Sequence, residues 1–279
     1  MFRFCAFADE ASPLLTGQIE ALHRNNIDLL EIRGVNHVNI SKLTEADARE
    51  TRKLLDSEGI SVWSMGSPMG KYPLAEPFAP HLDEFKRLLE LTEILGARHI
   101  RLFSFFPAEG ADPEETKKEA LERLAAFCEV TPSHIMLCHE NEKHIFGEDA
   151  ESCLAIHRAL PRLRAVFDPA NFVQCGVNTL EAWTMLHNYV AYMHIKDARG
   201  SRVVPPGQGE GNLPALLQNY RQNGGTVLTL EPHLTKFVGL DALEQGSTDH
   251  VGLPCYRDSD EAFDAAVTAL RGIIADLSL

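Results

Sequence analysis

The residues of this sequence that could do chemistry stand at the ends of short apolar runs. Leu137-Cys138-His139 runs into Glu140-Asn141-Glu142, and Val166-Phe167 runs into Asp168-Pro169-Ala170-Asn171. Val190–Met193 leads to His194-Ile195-Lys196-Asp197, and Val227–Leu230 leads to Glu231-Pro232-His233. In the last of these, Pro232 cannot donate to a sheet ladder and pushes Glu231 toward extended geometry, so the run stops on a carboxylate. Taken singly, such a residue reads as an N-cap or a solvated loop side chain. Taken together, Glu140, Asp168, His194 and Glu231 put three carboxylates and an imidazole at consecutive run ends, and gathering them without a cation would be strongly repulsive. Hard oxygen donors with one nitrogen suit Mn2+, Mg2+ or Zn2+, with positions left open for a substrate.

The elements that must position these residues alternate along the whole chain. Strands are expected at Arg3–Phe7, Leu29–Ile32, Ile60–Met65, His99–Phe103, Ile135–His139, Ala165–Phe167, Val190–Ile195 and Thr226–Leu230. Between them lie helical signals. Ser12-Pro13 reads as a cap with a first-turn proline, and Thr44–Ser57 as a helix closed by Gly59. A stripe of Leu82, Phe85, Leu88, Leu89 and Leu95 marks a helix from about His81 to Leu95. Asp112-Pro113-Glu114-Glu115 reads as a capping box, with Glu114 able to pair with Lys118, and Asp260–Ala275 as the closing helix. Eight such βα units predict a single (β/α)8 TIM barrel over residues 1–279, in which chemistry sits where strands exit. An open doubly wound sheet is the other arrangement, but no Gly-x-Gly-x-x-Gly follows the first strand. The irregular stretch His233–Arg257 is expected to form a lid or rim.

Bulk properties narrow the partners. A formal net charge of −14 argues against nucleic acid, which is held by Lys and Arg, and against an anionic membrane surface. No segment approaches the roughly 18 apolar residues of a membrane span. Met1–Glu10 has too short an apolar run for a signal peptide, and the six scattered cysteines form no Cys-x-x-Cys pair. The expectation is a cytoplasmic protein with reduced thiols.

The run ends Glu140, Asp168-Pro-Ala-Asn171, His194-Ile-Lys-Asp197 and Leu230-Glu231-Pro-His233 resemble those of the sugar phosphate isomerase/epimerase family, whose fold is the xylose isomerase-like barrel. The turn Gly207-Gln208-Gly209-Glu210-Gly211 is similar to that family's glycine–acidic loop, and the resemblance spans essentially the whole chain. It implies one divalent ion, Mn2+ first with Mg2+ or Zn2+ as alternatives, held by Glu140, Asp168, His194 and Glu231. It also implies that Glu140 and Glu231 serve as acid and base in a sugar or sugar phosphate isomerase or epimerase, through a metal-stabilised enediolate. The implied partner is a small sugar, with homo-oligomers common in the group. Departures are visible: Asn171 stands where relatives often carry His, Glu142 or Glu148 is a loose counterpart of a second glutamate, and Arg199 approximately matches an arginine after the histidine. Dehydratases acting on keto-polyols, an endonuclease IV-like nuclease and a non-catalytic sugar-binding barrel are the competing readings. The nuclease would need a histidine at Asn171.

Other side chains have bland alternatives. Lys71 follows the third strand and is a substrate contact or a solvated loop lysine. Lys196 lies two residues past His194, hence on the same face if the strand continues, and contacts substrate or a neighbouring carboxylate. His233 stands in the same relation to Glu231. Trp63 is a sugar platform or a core aromatic, while His139 should point toward the helix layer.

Overall fold

The computed structural model describes residues 2–238, 240 and 256–278. Eight parallel strands close into a barrel in sequence order: β1 (Arg3–Ala6), β2 (Leu29–Ile32), β3 (Ser61–Gly66), β4 (His99–Leu102), β5 (Met136–Glu140), β6 (Arg164–Phe167), β7 (Val190–Ile195) and β8 (Val227–Leu230). Closure is made by β8 against β1, with Arg3 opposite Val227 and Ala6 opposite Leu230. The strand expectations are met to within a residue or two at each end.

The side-chain period of two divides each strand between two cores. Outward residues such as Leu30, Ile32, Ile100, Leu102, Met193 and Leu230 join the large apolar cluster with Leu88, Leu95, Leu124 and Phe127 of the helices. Inward residues Cys5, Leu29, Cys138, Val166, Tyr192 and Val227 form a smaller cluster inside the barrel, against which Trp63 and Ala191 pack. This leaves the C-terminal strand ends for polar groups.

The helices follow their caps. Thr44 and Asp47 form a capping box before Glu45–Ser57, and Gly59 takes φ +71°. Asp112 accepts from Glu114 N at 2.9 Å and Glu115 N at 3.0 Å before Pro113–Val130. Glu114 pairs with Lys117 rather than the expected Lys118, which reaches Glu122. Both pairs are exposed and weak. The cap expected at Ser12-Pro13 is displaced. The helix starts at Leu15, and Leu15 N is satisfied from outside by Asn36 Oδ1 at 3.0 Å. Asn36 lies in an unforeseen hairpin, Gly34–Val35 against Val38–Asn39, whose two turn residues Asn36 (φ 50°) and His37 (φ 67°) both take left-handed geometry. Most of the lid expected over His233–Arg257 lies outside the described residues.

After β7 the chain forms the hairpin Asp197–Arg199 with Arg202–Val204. The Asp197 carboxylate gathers the glycine-rich turn, accepting from Ala198 N, Gly207 N, Gly209 N and Gly211 N at 2.9–3.0 Å. Gly209 has no room for a side chain, since a Cβ there would stand 2.3 Å from Asp197 Oδ1. Asp197→Ala orphans these donors and is expected to lower stability by roughly 2–3 kcal/mol in urea unfolding.

His139 points into the helix layer as expected, with Nε2 3.0 Å from Ser104 Oγ and its ring edge-on to His157 at 5.9 Å. His157 donates from Nδ1 to Leu163 O at 3.2 Å, and burial pulls its pKa down from 6.5 to about 4. Below pH 6.5 the unfolded chain takes up this proton first, so stability is full above that value and falls as pH drops toward 4. The loss attributable to His157 is up to about 3 kcal/mol. Replacing it by Gln should flatten that part of a stability-versus-pH curve measured by urea midpoint.

Candidate functional site

Four strand exits converge at the mouth of the barrel. Glu140 ends β5, and the next residue ties this exit to its neighbour: Asn141 Nδ2 donates to Asp168 O, and Asp168 N donates to Asn141 Oδ1, both at 2.9 Å. Asp168 caps the short helix Pro169–Gln174, accepting from Asn171 N at Oδ1. Its other oxygen, Oδ2, is buried 2.9 Å from Lys196 Nζ and accepts no aligned hydrogen bond. His194 comes from β7 and Glu231 immediately follows β8. Glu140, Asp168, His194 and Glu231 are all buried, and one ligand atom of each lies within 4.8 Å of all the others.

Charged neighbours hold this group in place. His194 Nδ1 is 2.8 Å from Glu140 Oε1 and 3.4 Å from Glu231 Oε2, while Nε2 is 3.2 Å from Glu31 Oε2. Arg101 Nε lies 3.2 Å from Glu140 Oε2. Arg33 forks onto Asp9 at 2.9 and 3.0 Å and reaches Glu10 at 3.2 Å and Glu231 at 3.1 Å. Lys196 Nζ bridges Asp168 and Glu231, the latter at 3.2 Å.

The protonation tendencies follow from burial set against these partners. Burial pulls the His194 imidazole down, but Glu140, Glu31 and Glu231 overcome it and raise its pKa well above the ordinary value. Burial pushes the Glu231 carboxyl up, and Lys196, His233 and His194 overcome that to hold it well below the usual range. At Asp168 burial wins over Lys196, and the carboxyl is pushed up to about 7. Asp168 is the under-compensated member.

This donor set fits a divalent ion. Among the described residues, the seven carboxylates Asp9, Glu10, Glu31, Glu140, Glu142, Asp168 and Glu231 face five cations, Arg33, Lys71, Arg101, Lys143 and Lys196. Carboxylates outnumber the fixed cations, and three carboxylates with one imidazole nitrogen are donors of the kind that hold a divalent ion. Asp168 Oδ2, met by the Lys196 ammonium without an aligned hydrogen bond, has room for a further partner among its lone pairs. A second group, Glu10, Glu231 and His233, is as close-packed, but Arg33 already sits against both of its carboxylates.

The remaining expectations divide. Asn171 donates to Asn141 O at 3.0 Å and approaches Glu140 Oε1 at 3.5 Å. Lys196 reaches the carboxylates although β7 ends one residue before it, at Ile195. His233 is buried, its N donating to Glu10 Oε2 at 2.7 Å and its ring Nε2 3.6 Å from Glu231 Oε1. Lys71 bonds Glu142 Oε2 at 2.9 Å, whereas Glu148 is exposed and accepts from His144 N. Two other expected substrate contacts lie apart from this group. Trp63 stands three residues before the end of β3 and stacks on His99 at 4.1 Å, inside the barrel core rather than at its mouth. Arg199 lies exposed on the outer hairpin and donates to Gln208 O at 2.7 Å.

Asp9, Glu10, Glu31, Arg33 and Arg101 belong to this charged group without being expected from the sequence. The signal was a charge inside an apolar strand, Glu31 within Leu29–Ile32 and Arg101 within His99–Leu102, where an unpartnered ion is prohibitive. Beside the cage opens a cleft of about 260 Å3, lined by Asp9, Pro13, Arg33, Gly34, His37, Val38, Asn39, Pro68, Lys71 and Val238.

The barrel is similar to those of known proteins. The family model described as "Xylose isomerase-like TIM barrel" matches residues 19–250. Among solved structures, a D-psicose 3-epimerase determined in the presence of D-fructose superposes with a TM-score of 0.78 at 17% identity, covering 100% of both chains. The IOLI protein with a bound zinc atom gives 0.74 at 17% identity over 99% of each chain. A probable 3-DHS dehydratase, AsbF of Bacillus anthracis, gives 0.74 at 14% identity, covering 97% of this chain and 99% of its own. A comparison with curated protein sequences found no match.

Glu31 also takes a hydrogen bond from Tyr192 OH at 2.7 Å and so orients the nitrogen of His194 that faces away from the cage. Such outer partners tune metal affinity by about 10–100-fold. Glu31→Gln is expected to weaken divalent-ion binding by that factor in a chelator-competition titration.

Proposed function

The chain belongs to the xylose isomerase-like TIM barrel family, and on that footing we propose that it is a divalent-metal-dependent sugar or sugar phosphate isomerase or epimerase. The observation that carries this reading is the placement of Glu140 and Glu231. They stand on strands separated by β6 and β7, yet within 4.8 Å at their nearest ligand atoms, in a buried group that also holds Asp168 and His194. The likeness to a D-psicose 3-epimerase barrel and to the zinc-bound IOLI protein supports a ketose substrate and a metal.

Glu140, Asp168, His194 and Glu231 would hold the ion, Mn2+ first, with Mg2+ or Zn2+ as alternatives. When bound, it would supply positive charge for the oxygens of a substrate losing a carbon-bound proton. The rest is done by side chains. Glu231 is kept ionised by Lys196, His233 and His194, so it is ready to take a proton from the carbon beside a ketose carbonyl. Glu140, held by Arg101 and His194, faces the same space. Return of a proton by Glu140 to the opposite face of that carbon inverts it, whereas return to the neighbouring carbon interconverts ketose and aldose. Lys196, fixed between Asp168 and Glu231, orients Glu231 and is placed to donate to a substrate oxygen.

Incubation with a ketose panel in D2O is expected to show deuterium entering at carbon beside the carbonyl. Glu140→Gln and Glu231→Gln should each lower that rate by about 10²–10⁴-fold, and the purified protein should carry about one divalent ion. The proposal fails if both variants exchange at the parent rate, or if no metal is held. Loss of water from an inosose or dehydroshikimate-type substrate, without exchange into ketoses, would move the assignment to a dehydratase.

A further inference from the structure

Lys71 stands beside the carboxylate cage, with Nζ 2.9 Å from Glu142 Oε2, and lines the neighbouring cleft. The loop that carries it is laced to the chain leaving β4. Phe103 N donates to Met69 O and Phe105 N to Gly70 O, both at 2.8 Å, and Phe106 N donates to Tyr72 O at 3.0 Å. Gly70 takes φ +83°, and a Cβ there would stand 2.0 Å from Phe103 O, so its peptide is pressed close against this neighbour. The N–H of that peptide is taken by a side chain, because Gly70 N donates to His81 Nε2 at 3.0 Å.

His81 lies in the first turn of the helix Phe78–Leu95 and is only 4% exposed. Its ring stacks on Tyr72 at 4.4 Å, with Phe105 and Phe127 at 6.2 and 5.8 Å. An imidazole nitrogen that accepts a hydrogen bond carries no proton, so the neutral ring keeps its hydrogen on Nδ1, 3.5 Å from Glu84 Oε2. The charged groups around the ring are Glu84 on the same helix, Lys42, which pairs with Glu84, and Arg123 of the helix Pro113–Val130. The Arg123 guanidinium lies 5.6 Å from the Phe105 ring centroid. Burial, helped by Arg123 and Lys42, outweighs Glu84 and keeps the His81 pKa below 6.5.

Building on the proposed isomerase or epimerase reading, we propose that His81 is a positioning residue whose neutral ring, by accepting from Gly70 N, sets Lys71 and through it Glu142 at the edge of the substrate space. A protonated ring would present a second donor to the Gly70 N–H, and two donors repel. The loop then loses its anchor and Lys71 leaves its place. The placement of Lys71 thus follows the charge of a side chain on a helix outside the barrel.

The test compares two variants by kcat/KM for deuterium exchange into the most active ketose of the panel. His81→Phe keeps a ring against Tyr72 but has no acceptor. It should lower kcat/KM by about 10–100-fold, chiefly through KM, since Lys71 lines the cleft and is not among the four residues that would hold the ion. His81→Gln offers an acceptor that does not titrate. It should recover most of the loss, and the acid-side decline of kcat/KM, which in the parent lies below pH 6.5, should move to lower pH. A parent-like circular dichroism spectrum is the folding control. In the parent protein, 15N NMR should find His81 Nε2 unprotonated at neutral pH, and the Gly70 amide should lose protection from hydrogen exchange as the ring takes up its proton. If His81→Phe folds and exchanges at the parent kcat/KM, or if Nε2 carries the proton at neutral pH, the inference is wrong while the isomerase reading stands. If no ketose exchanges, the proposed function falls, and the NMR readings alone show whether His81 anchors the loop.

Discussion

A carboxylate removed from water must be met by a cation, and the mouth of this barrel is built around that requirement. Glu140, Asp168 and Glu231 cannot share a buried space unaided, and Arg33, Arg101 and Lys196 are drawn in to face them. Those cations need partners of their own. Arg33 holds Asp9 and Glu10 as well as Glu231, which in turn fixes where the loops after β1 and β2 lie. Glu31 inside the barrel and Tyr192 below it are fixed through His194 by the same logic.

The apolar architecture yields to this demand rather than directing it. Inward positions are filled with Cys5, Cys138, Val166 and Tyr192 only on the N-terminal side, and the strand pattern then turns polar. Glu31 and Arg101 occupy strand positions that an interior of Val, Ile and Leu would otherwise fill. Replacing such ion pairs by apolar side chains often stabilises a protein. Their presence is therefore best understood through what the mouth does, not through what the fold needs.

Much of this was legible in the sequence. The four ligand candidates stood out because each ends an apolar run, and the loss of alternation at a proline is a local signal that survives without coordinates. The strands were readable for the same reason. Contacts that join distant segments were not. The start of the helix at Leu15 depends on Asn36, twenty-one residues on, so the local cap signal at Ser12-Pro13 misled. Trp63 was ambiguous because the strand period gives a side chain's face but not its depth along the barrel axis. Arg33, next to a glycine after a strand, looks like any loop arginine until Glu231 arrives beside it from the other end of the chain.

The pairing of Arg33 with Glu231 has a consequence for how the molecule is put together. The cage carboxylates Glu140, Asp168 and Glu231 all come from the second half of the barrel, β5 to β8, while Arg33, Lys71 and Arg101 come from the first half. In the first half Asp9, Glu10 and Glu31 match Arg33, Lys71 and Arg101 in number, the second half carries more carboxylates than lysines, and the ionic contacts Arg33–Glu231, Arg101–Glu140 and Lys71–Glu142 all cross the seam. The two half-barrels are thus tied at the rim by ion pairs as well as by the ladders of β4 with β5 and β8 with β1. A half-barrel borrowed from another chain would need its own partners for these three contacts to close this ring.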